Sequence, residues 1–496
     1  MGFDKVPSEI VDQICELVPL SGLQNLRLVC RRVGGIAAIH VFRRAVVTTS
    51  ASSLEKLGAI ANHTIYSHHV RELFHASEFI ILRGSQLQDE PLTFYEYVGW
   101  CRELENTRIA EYHRGYRTLP EEPRRLKPSQ LKANYEVYKR IWEDQHHVLR
   151  CRHDAEVLTK LLPKLPNLTS FIVQDLGVES RERVGSLYLR ELSVNRYGPP
   201  AYEALRKAKV LADAIVANSI NPTRFCHDYL HHLFFDPRVN KNTLDGLIPL
   251  LGNLTHFEIG IRVTSEEYGL TSQLCTSTLR QHALQAMVAA MGNLEVLGLS
   301  FSEPFLLNHG EPMSSFCAAI HDIIPAHQSF ARLKRLCLSG VETTADELVG
   351  LYTRHRDTLR VLRLANISLA EGSWYDLLPA LKGVLGRETI QEIGFEGAIC
   401  FSGPNEGKGG WWLDASAPYR MRAATEVDYE DVAVAPSLGQ RLVEYLLSNE
   451  ETELPLNWRN SLHERYFPMS DNFGEEHFDL DFWTGTMERI MRGREP

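Results

Sequence analysis

The chain has 496 residues, of which 44% are hydrophobic and 23% charged, and its 53 Lys+Arg against 63 Asp+Glu give a formal net charge of −10. This composition is typical of a globular chain and excludes the collagen-like, fully disordered and membrane-spanning classes. The negative balance also argues against nucleic acid as the main partner, because a phosphate backbone attracts basic proteins.

The cysteines and the N-terminus indicate the compartment. The nine cysteines are scattered and form no C-x-x-C pair that would chelate zinc or undergo redox cycling. Asp4, Glu9, Asp12 and Glu16 interrupt the place where a secretory peptide needs an apolar run. We therefore expect an intracellular protein, cytoplasmic and/or nuclear, with no membrane partner, no cofactor and no metal.

The first predicted element is a short amphipathic helix. Pro7 suits a first helical position, and Glu9 suits the positive end of the helix dipole. The next apolar residues follow helical spacing and predict a buried stripe of Ile10, Ile14 and Leu17.

Two further helices are predicted before residue 44. Ser21 and Gln24 have the spacing of a capping box that would open the second helix, and Gly34–Gly35 would end it. A third helix is predicted from Ile36 onward. A module of about 40 residues buries little core, so the pattern implies that it packs on a partner.

The residues of this module resemble a known family. Val6-Pro7-Ser8-Glu9-Ile10, a spaced Ile14 and the run Leu23–Arg32 are similar to the F-box, whose pattern is Leu-Pro-x-Glu-Ile, a spaced Ile, Leu-x-x-Leu and Val-Cys-Lys/Arg. The resemblance implies docking on the Skp adaptor of a cullin-RING ubiquitin ligase. The motif positions that it assigns to the adaptor-facing or core surface are Pro7, Ile10, Ile14, Leu26, Leu28 and Val29.

The module departs from the family pattern in two places. Val6 stands where the F-box usually has Leu, and Gly34–Gly35 stand where it commonly has Trp. A generic helical cap on a repeat domain is therefore an alternative interpretation of the same residues.

The body of the chain repeats the pattern L-x-x-L-x-L or a close apolar variant. The second and third apolar residues of each copy would alternate on a short strand, so that stacked copies bury one core. The copies begin at Leu168, Leu189, Leu254, Leu294, Leu333, Leu359 and Ile390, with a further start at Val70. This is the leucine-rich-repeat signature, and the unequal spacing predicts an irregular array with insertions.

Helical patterns separate the copies, at 281–291, 345–352 and 375–385. A longer helix is predicted behind Pro128, where an aromatic and leucine stripe suits a core better than a recognition face. Its members are Leu131, Tyr135, Tyr138, Trp142 and Leu149.

The predicted fold class is α/β, with a small all-α F-box module followed by an irregular leucine-rich-repeat solenoid. The predicted domains are the module at 1–48, a helical linker and insertion with a first repeat at 49–167, the repeat body at 168–401, and a glycine-rich loop with an acidic C-terminal cap at 402–496.

No pattern indicates catalysis. His227 and His231 would lie one helical turn apart, as two zinc ligands do, but Asp228 is one methylene shorter than the Glu that the metalloprotease motif needs. The loop Gly403–Lys408 is one residue too short between its glycines for a phosphate loop. A zinc hydrolase at the two histidines is kept as a remote alternative to a protein that is not an enzyme.

Substrate binding is predicted on the repeat face. Residues between the repeat leucines would project from the strands, and the chosen substrate-binding residues are Arg335, Ser339, Arg363, Glu392 and Glu396. Trp374 is predicted to be exposed and is a weaker candidate anchor.

The functional prediction is a substrate-recognition subunit of a Skp-cullin-F-box ubiquitin ligase. The module would bind the Skp-type adaptor, and the repeat body would bind a protein substrate whose identity the sequence leaves open. The alternative is a leucine-rich-repeat scaffold that does not engage a ligase.

Overall fold

The computed structural model describes residues 6–76, 90–113, 125–174, 201–262, 272–302, 318–385, 389–403, 407–413, 438–448, 454–455 and 466–468. The chain divides into two compact units, the first comprising Met1–Asn167 and Gln174–Pro200, the second Leu168–Val173 and Ala201–Pro496. The four predicted domain ranges stay predictions, and most of 402–496 lies outside the described residues.

The first unit begins with three helices, α1 (Ser8–Leu17), α2 (Leu20–Leu26) and α3 (Arg31–Phe42). Their presence was predicted, but two of their boundaries were not. Helix α2 begins at Leu20 behind Pro19 without a side-chain cap, so the predicted capping box at Ser21 is wrong. The three helices share a small core of Val11, Cys15, Leu23, Val33 and Ala37.

Gly34 and Gly35 lie inside α3 and do not end a helix. A Cβ atom at Gly34 would lie 2.7 Å from the carbonyl oxygen of Arg27, whereas a Cβ at Gly35 would meet nothing within 4 Å. Gly34 therefore lets the end of α2 approach α3 closely, which explains a glycine in a helix interior despite its poor helix propensity.

The helices continue directly into a parallel strand pair. Strand β1 (Arg44–Val47) pairs with β2 (Glu72–Ala76), and helix α4 (Ala51–Ala61) connects them. The predicted separate all-α module is therefore wrong, because the three helices and this strand pair belong to one unit. The predicted repeat start at Val70 does lead into a strand.

A helical insertion follows β2 in the first unit. It contains α5 (Phe94–His113), α6 (Pro128–Arg150) and α7 (His153–Leu161). Leu131 and Tyr138 of α6 are buried in a cluster with Tyr97 and Cys101 of α5. The aromatic stripe behind Pro128 is thus a core face, as predicted.

The second unit contains a mostly parallel sheet. Its strands are β3 (Ser170–Gln174), β4 (Arg224–His231), β5 (His256–Arg262), β6 (Val296–Ser302), β7 (Ala318–Ala319), β8 (Arg335–Thr344), β9 (Val361–Glu371), β10 (Glu392–Gly403), β11 (Gly407–Trp412) and β12 (Tyr466–Pro468). Neighbours follow the order β3-β4-β5-β6-β8-β9-β10-β11-β12, with β7 beside β8. Pairing is parallel from β3 to β10 and antiparallel for the last two strands.

Helices alternate with these strands. They are α8 (Ala201–Ala217), α9 (Pro237–Leu247), α10 (Ser272–Leu279), α11 (Ala283–Ala290), α12 (Ile320–Ile323), α13 (Ala345–His355), α14 (Trp374–Val384) and α15 (Leu438–Leu447). Parallel neighbours require such crossovers, because a tight turn reverses the chain. The α/β class is therefore confirmed, with a mostly parallel sheet.

Six of the predicted repeat copies coincide with strands, namely β3, β5, β6, β8, β9 and β10. Their second and third apolar residues are buried, as Leu336 and Leu338 show in β8. The copy at Leu189 lies outside the described residues. Strand β4 was not predicted, since its sequence carries histidines where the other strands carry leucines.

Three neighbouring strands bend at aligned positions. Gly340 in β8, Asn366 in β9 and Gly397 in β10 have φ of 71°, 51° and 68°. The β8–β9 register is the same on both sides of the bend, whereas β10 has one extra residue between Glu396 and Ile399, so that its register with β9 shifts there. A left-handed residue at the same level of each strand turns all three together, so the ladder continues past the bend.

Gly340→Ala tests this bend. The added Cβ would overlap the carbonyl oxygen of Phe301. The alanine would also have to adopt the left-handed backbone conformation of Gly340. We expect a loss of about 1–3 kcal/mol in the free energy of unfolding, measured by urea titration. The matched control is Gly383→Ala in α14, where a Cβ meets nothing within 4 Å, and no loss is expected there. Equal stability of the two variants would contradict this role of Gly340.

Candidate functional site

Exposed large apolar side chains concentrate in α1–α3. Of the nine that the described residues contain, five lie between residues 10 and 39. Their exposed fractions are 44% for Ile10, 86% for Leu17, 85% for Leu28, 52% for Val29 and 41% for Ile39. We call these five residues the exposed apolar set. Single exposed apolar residues are normal on protein surfaces, whereas their concentration in one small module indicates a binding site.

Helix α1 carries two apolar faces. Val11 and Cys15 are 1% exposed and point into the core. The predicted buried stripe of Ile10, Ile14 and Leu17 is wrong, since it lies on the adjacent face, where Ile14 is only half-buried. A helix that buries one apolar face and leaves a second one exposed has more apolar surface than its own fold uses.

The structure separates the predicted adaptor-binding residues into two groups. Pro7, Ile10, Leu28 and Val29 are exposed. Leu26 packs against the three-helix core and Ile14 is half-buried. Sequence reasoning missed Leu17 and Ile39 as exposed residues, because periodicity finds apolar faces but does not show which of them is covered.

Two polar contacts join α3 to α1 and to the residue that leads into α1. His40 Nε2 on α3 lies 2.7 Å from Asp12 Oδ1 on α1. The Arg32 guanidinium, at the start of α3, donates to the carbonyl of Val6. These contacts fix α1 and its N-terminal approach on α3, so the two helices present their apolar side chains from a defined framework.

The predicted substrate-binding residues share one face of β8, β9 and β10. The register aligns Arg335, Val361 and Glu392 across the three strands, and it aligns Ser339, Ala365 and Glu396 in the same way. Arg335, Arg363 and Glu396 are exposed, and Ser339 and Glu392 are partly buried. We call Arg335, Ser339, Arg363, Glu392 and Glu396 the charged sheet face.

One ion pair crosses this face. Arg363 Nε donates to Glu392 Oε1 at 2.7 Å. This hydrogen bond and the carboxylate charge raise the pKa of Arg363 above its usual value. Because both side chains are largely solvated, the ion pair contributes little stability. Each of the two side chains is therefore able to pair with a charged group of a bound protein instead.

The same face continues over β4, β5 and β6. Glu258 lies 3.8 Å from Arg224 Nη2 and 3.6 Å from the Cys226 thiol. Burial raises the pKa of Cys226 to about 11, and burial also raises the pKa of Cys337 on β8. Both thiols are therefore protonated at neutral pH, which makes them poor nucleophiles.

The two candidate zinc histidines lie on β4 and not on a helix. His227 and His231 are 1% and 2% exposed, and the strand register shifts between His227 and Leu230. Burial lowers the pKa of His227 to about 3 and that of His231 to about 4. The described residues contain no group of three His, Cys, Asp or Glu that would hold a metal ion, so this part of the chain provides no zinc site.

Trp374 is also placed differently from its prediction. It is 1% exposed, and its indole Nε1 donates to the carbonyl of Cys400 at 2.7 Å. It is a core residue of α14 and not an exposed anchor, because burial and a satisfied N–H leave nothing for a partner to contact.

Comparison with protein-family models and with curated proteins gave no match to the chain. Within the described parts of the sequence, every helix is too short or too polar to cross a bilayer.

The buried histidines predict a dependence of stability on pH. His232 is fully buried, its ring stacks on His231 with centroids 4.3 Å apart, and neither of its ring nitrogens has a hydrogen-bond partner in the described residues. Burial lowers its pKa well below 6.5. Below about pH 6.5 the unfolded chain therefore binds more protons than the folded one, and stability falls as the pH is lowered.

His232→Phe removes this group while keeping a flat ring. We expect the unfolding free energy at pH 7, measured by urea titration, to be about 1–3 kcal/mol higher than in the wild type. We also expect this free energy to fall less between pH 7 and pH 5 than it does in the wild type. Substitution of the exposed His327 by Gln is the control and should change neither quantity. A variant as acid-sensitive as the wild type would show that His232 does not cause the loss.

Proposed function

We propose that the chain is the substrate-recognition subunit of a Skp-cullin-F-box type ubiquitin ligase. In this proposal α1–α3 dock on the Skp adaptor, and the charged sheet face binds a protein substrate. The observation that carries it is the exposed apolar set, which falls on the module whose residues resemble the F-box. Ile10, Leu28 and Val29 belong both to that motif and to the exposed set.

The body supports the fold that this resemblance implies. We infer an irregular leucine-rich-repeat arrangement, because six strands that begin two residues after a repeat start lie in chain order in a parallel part of the sheet. The buried Leu362 and Leu364 of β9 alternate with the half-buried Val361 and the exposed Arg363. Such alternation leaves one face of each strand for binding.

The proposed role is recognition without catalysis in this chain. The adaptor contact would recruit the ligase, and the charged sheet face would hold the substrate near the enzyme that carries the ubiquitin to be transferred. The rate advantage then comes from effective concentration, with no group on this chain required to make or break a bond. We propose an intracellular location for the same reason, since ubiquitin transfer takes place there.

A repeat scaffold without ligase engagement is the second candidate. It is favoured by Gly34–Gly35, which stand where the family commonly has Trp, and of which Gly34 allows the close approach of Arg27. The module therefore departs from the family pattern at this position, and a binding measurement separates the two candidates.

Binding to a purified Skp adaptor tests the proposal. We expect the full chain to bind, and Ile10→Asp with Val29→Asp to reduce affinity by at least about 30-fold, because a desolvated charge in an apolar interface costs several kcal/mol. Ser21→Asp, an exposed residue of the same module, is the control and should bind as the wild type does. A folded wild type that does not bind would refute the ligase role and favour the scaffold.

Charge reversal on the sheet face tests substrate binding separately. Arg335→Glu with Arg363→Glu should leave the unfolding free energy within about 1 kcal/mol, as these are surface charges, and should leave adaptor binding unchanged. Ubiquitin-remnant profiling of cells expressing the variant should lose sites that the wild type produces. Identical profiles would place the substrate elsewhere on the chain.

A further inference from the structure

Four side chains of the first unit form one continuous stack. The guanidinium carbon of Arg27 lies 5.1 Å from the centre of the Phe42 ring. Phe42 stacks on Tyr66 with centroids 4.0 Å apart, and Tyr66 stacks on His63 at 3.8 Å. We call these four residues the aromatic column. It connects the end of α2, the end of α3 and the turn that precedes β2.

The column ends at the residue next to two members of the exposed apolar set. Leu28 and Val29 directly follow Arg27, and their amides close a turn on the carbonyls of Asn25 and Leu26 at 3.0 and 3.2 Å. The Arg27 carbonyl packs so closely on Gly34 that a Cβ atom there would lie 2.7 Å from the carbonyl oxygen. Arg27 is therefore held by its backbone on α3 and by its side chain on Phe42.

The column has little of the character of a core. Phe42 and Tyr66 are half-buried and His63 is exposed, whereas the core of the three helices is formed by other residues such as Val11 and Val33. Cation–π and aromatic contacts of this kind are weak individually and act mainly through geometry. Their position next to the turn at Leu28 and Val29 indicates that they fix the conformation of this turn more than they stabilise the whole unit.

We propose that the aromatic column is a positioning device for partner docking, holding the turn at Leu28 and Val29 in its binding arrangement. The proposal rests on the proposed function, because it assigns the docking role to that turn. Phe42 and Tyr66 act through Arg27 and do not touch the partner. A turn that is already ordered costs less entropy to bind, so disturbing the column weakens binding without removing a contact.

Tyr66→Leu and Phe42→Leu in the full chain test the column, with the purified Skp adaptor as the probe. We expect each to weaken binding about three- to tenfold and to speed hydrogen exchange at the amides of Leu28 and Val29. Tyr66→Phe keeps the ring stack and should bind and exchange as the wild type does, and an unchanged urea midpoint in Tyr66→Leu excludes a general loss of stability. Ile65→Ala is the control, because Ile65 is 59% exposed and lies outside the stack.

The outcomes separate the two claims. If the wild type binds and Tyr66→Leu binds equally well, the positioning role is wrong while the proposed function stands. If Tyr66→Phe is as weak as Tyr66→Leu, the ring stack is not the cause and the positioning role is again wrong. If the wild type does not bind the adaptor, the proposed function fails and the positioning proposal fails with it.

Discussion

The second unit depends on one constraint, which is that parallel strands bury alternate residues and need a crossover after each strand. Leucines such as Leu297 and Leu299 meet it by filling the covered side of β6, and helices supply the crossovers. The residues on the opposite side of each strand then do not have to be apolar or buried. The charged sheet face is a direct consequence, since Arg335 and Arg363 occupy positions that the fold does not need to bury.

The first unit meets a different constraint. Three short helices offer a core of few residues, and α1 uses Val11 and Cys15 for it. Its second apolar face, with Ile10 and Leu17, finds no cover within the described residues. The hydrophobic effect makes such surface costly in water and favourable to bury, so a partner helix or groove is the natural complement. The proposed adaptor contact would bury this exposed apolar surface of α1.

The sequence allowed the periodic elements to be predicted and failed where a residue had two meanings. The repeat leucines located six strands, yet β4 was taken for a helix because histidines four apart suit either structure. Gly34 was taken for a helix end, and its close approach to Arg27 becomes visible only in three dimensions. Of the exposed apolar set, the F-box-like motif includes Leu28 and Val29 but not Leu17, because periodicity does not distinguish a covered face from an exposed one.

The central claim is that the exposed apolar set is a docking site for the Skp adaptor. The most direct measurement is hydrogen–deuterium exchange of the full chain with and without saturating adaptor. We expect slower exchange in α1 and in the turn at Leu28 and Val29, with no change in β8–β10. No protection in α1–α3, or protection of β8–β10 instead, would contradict it.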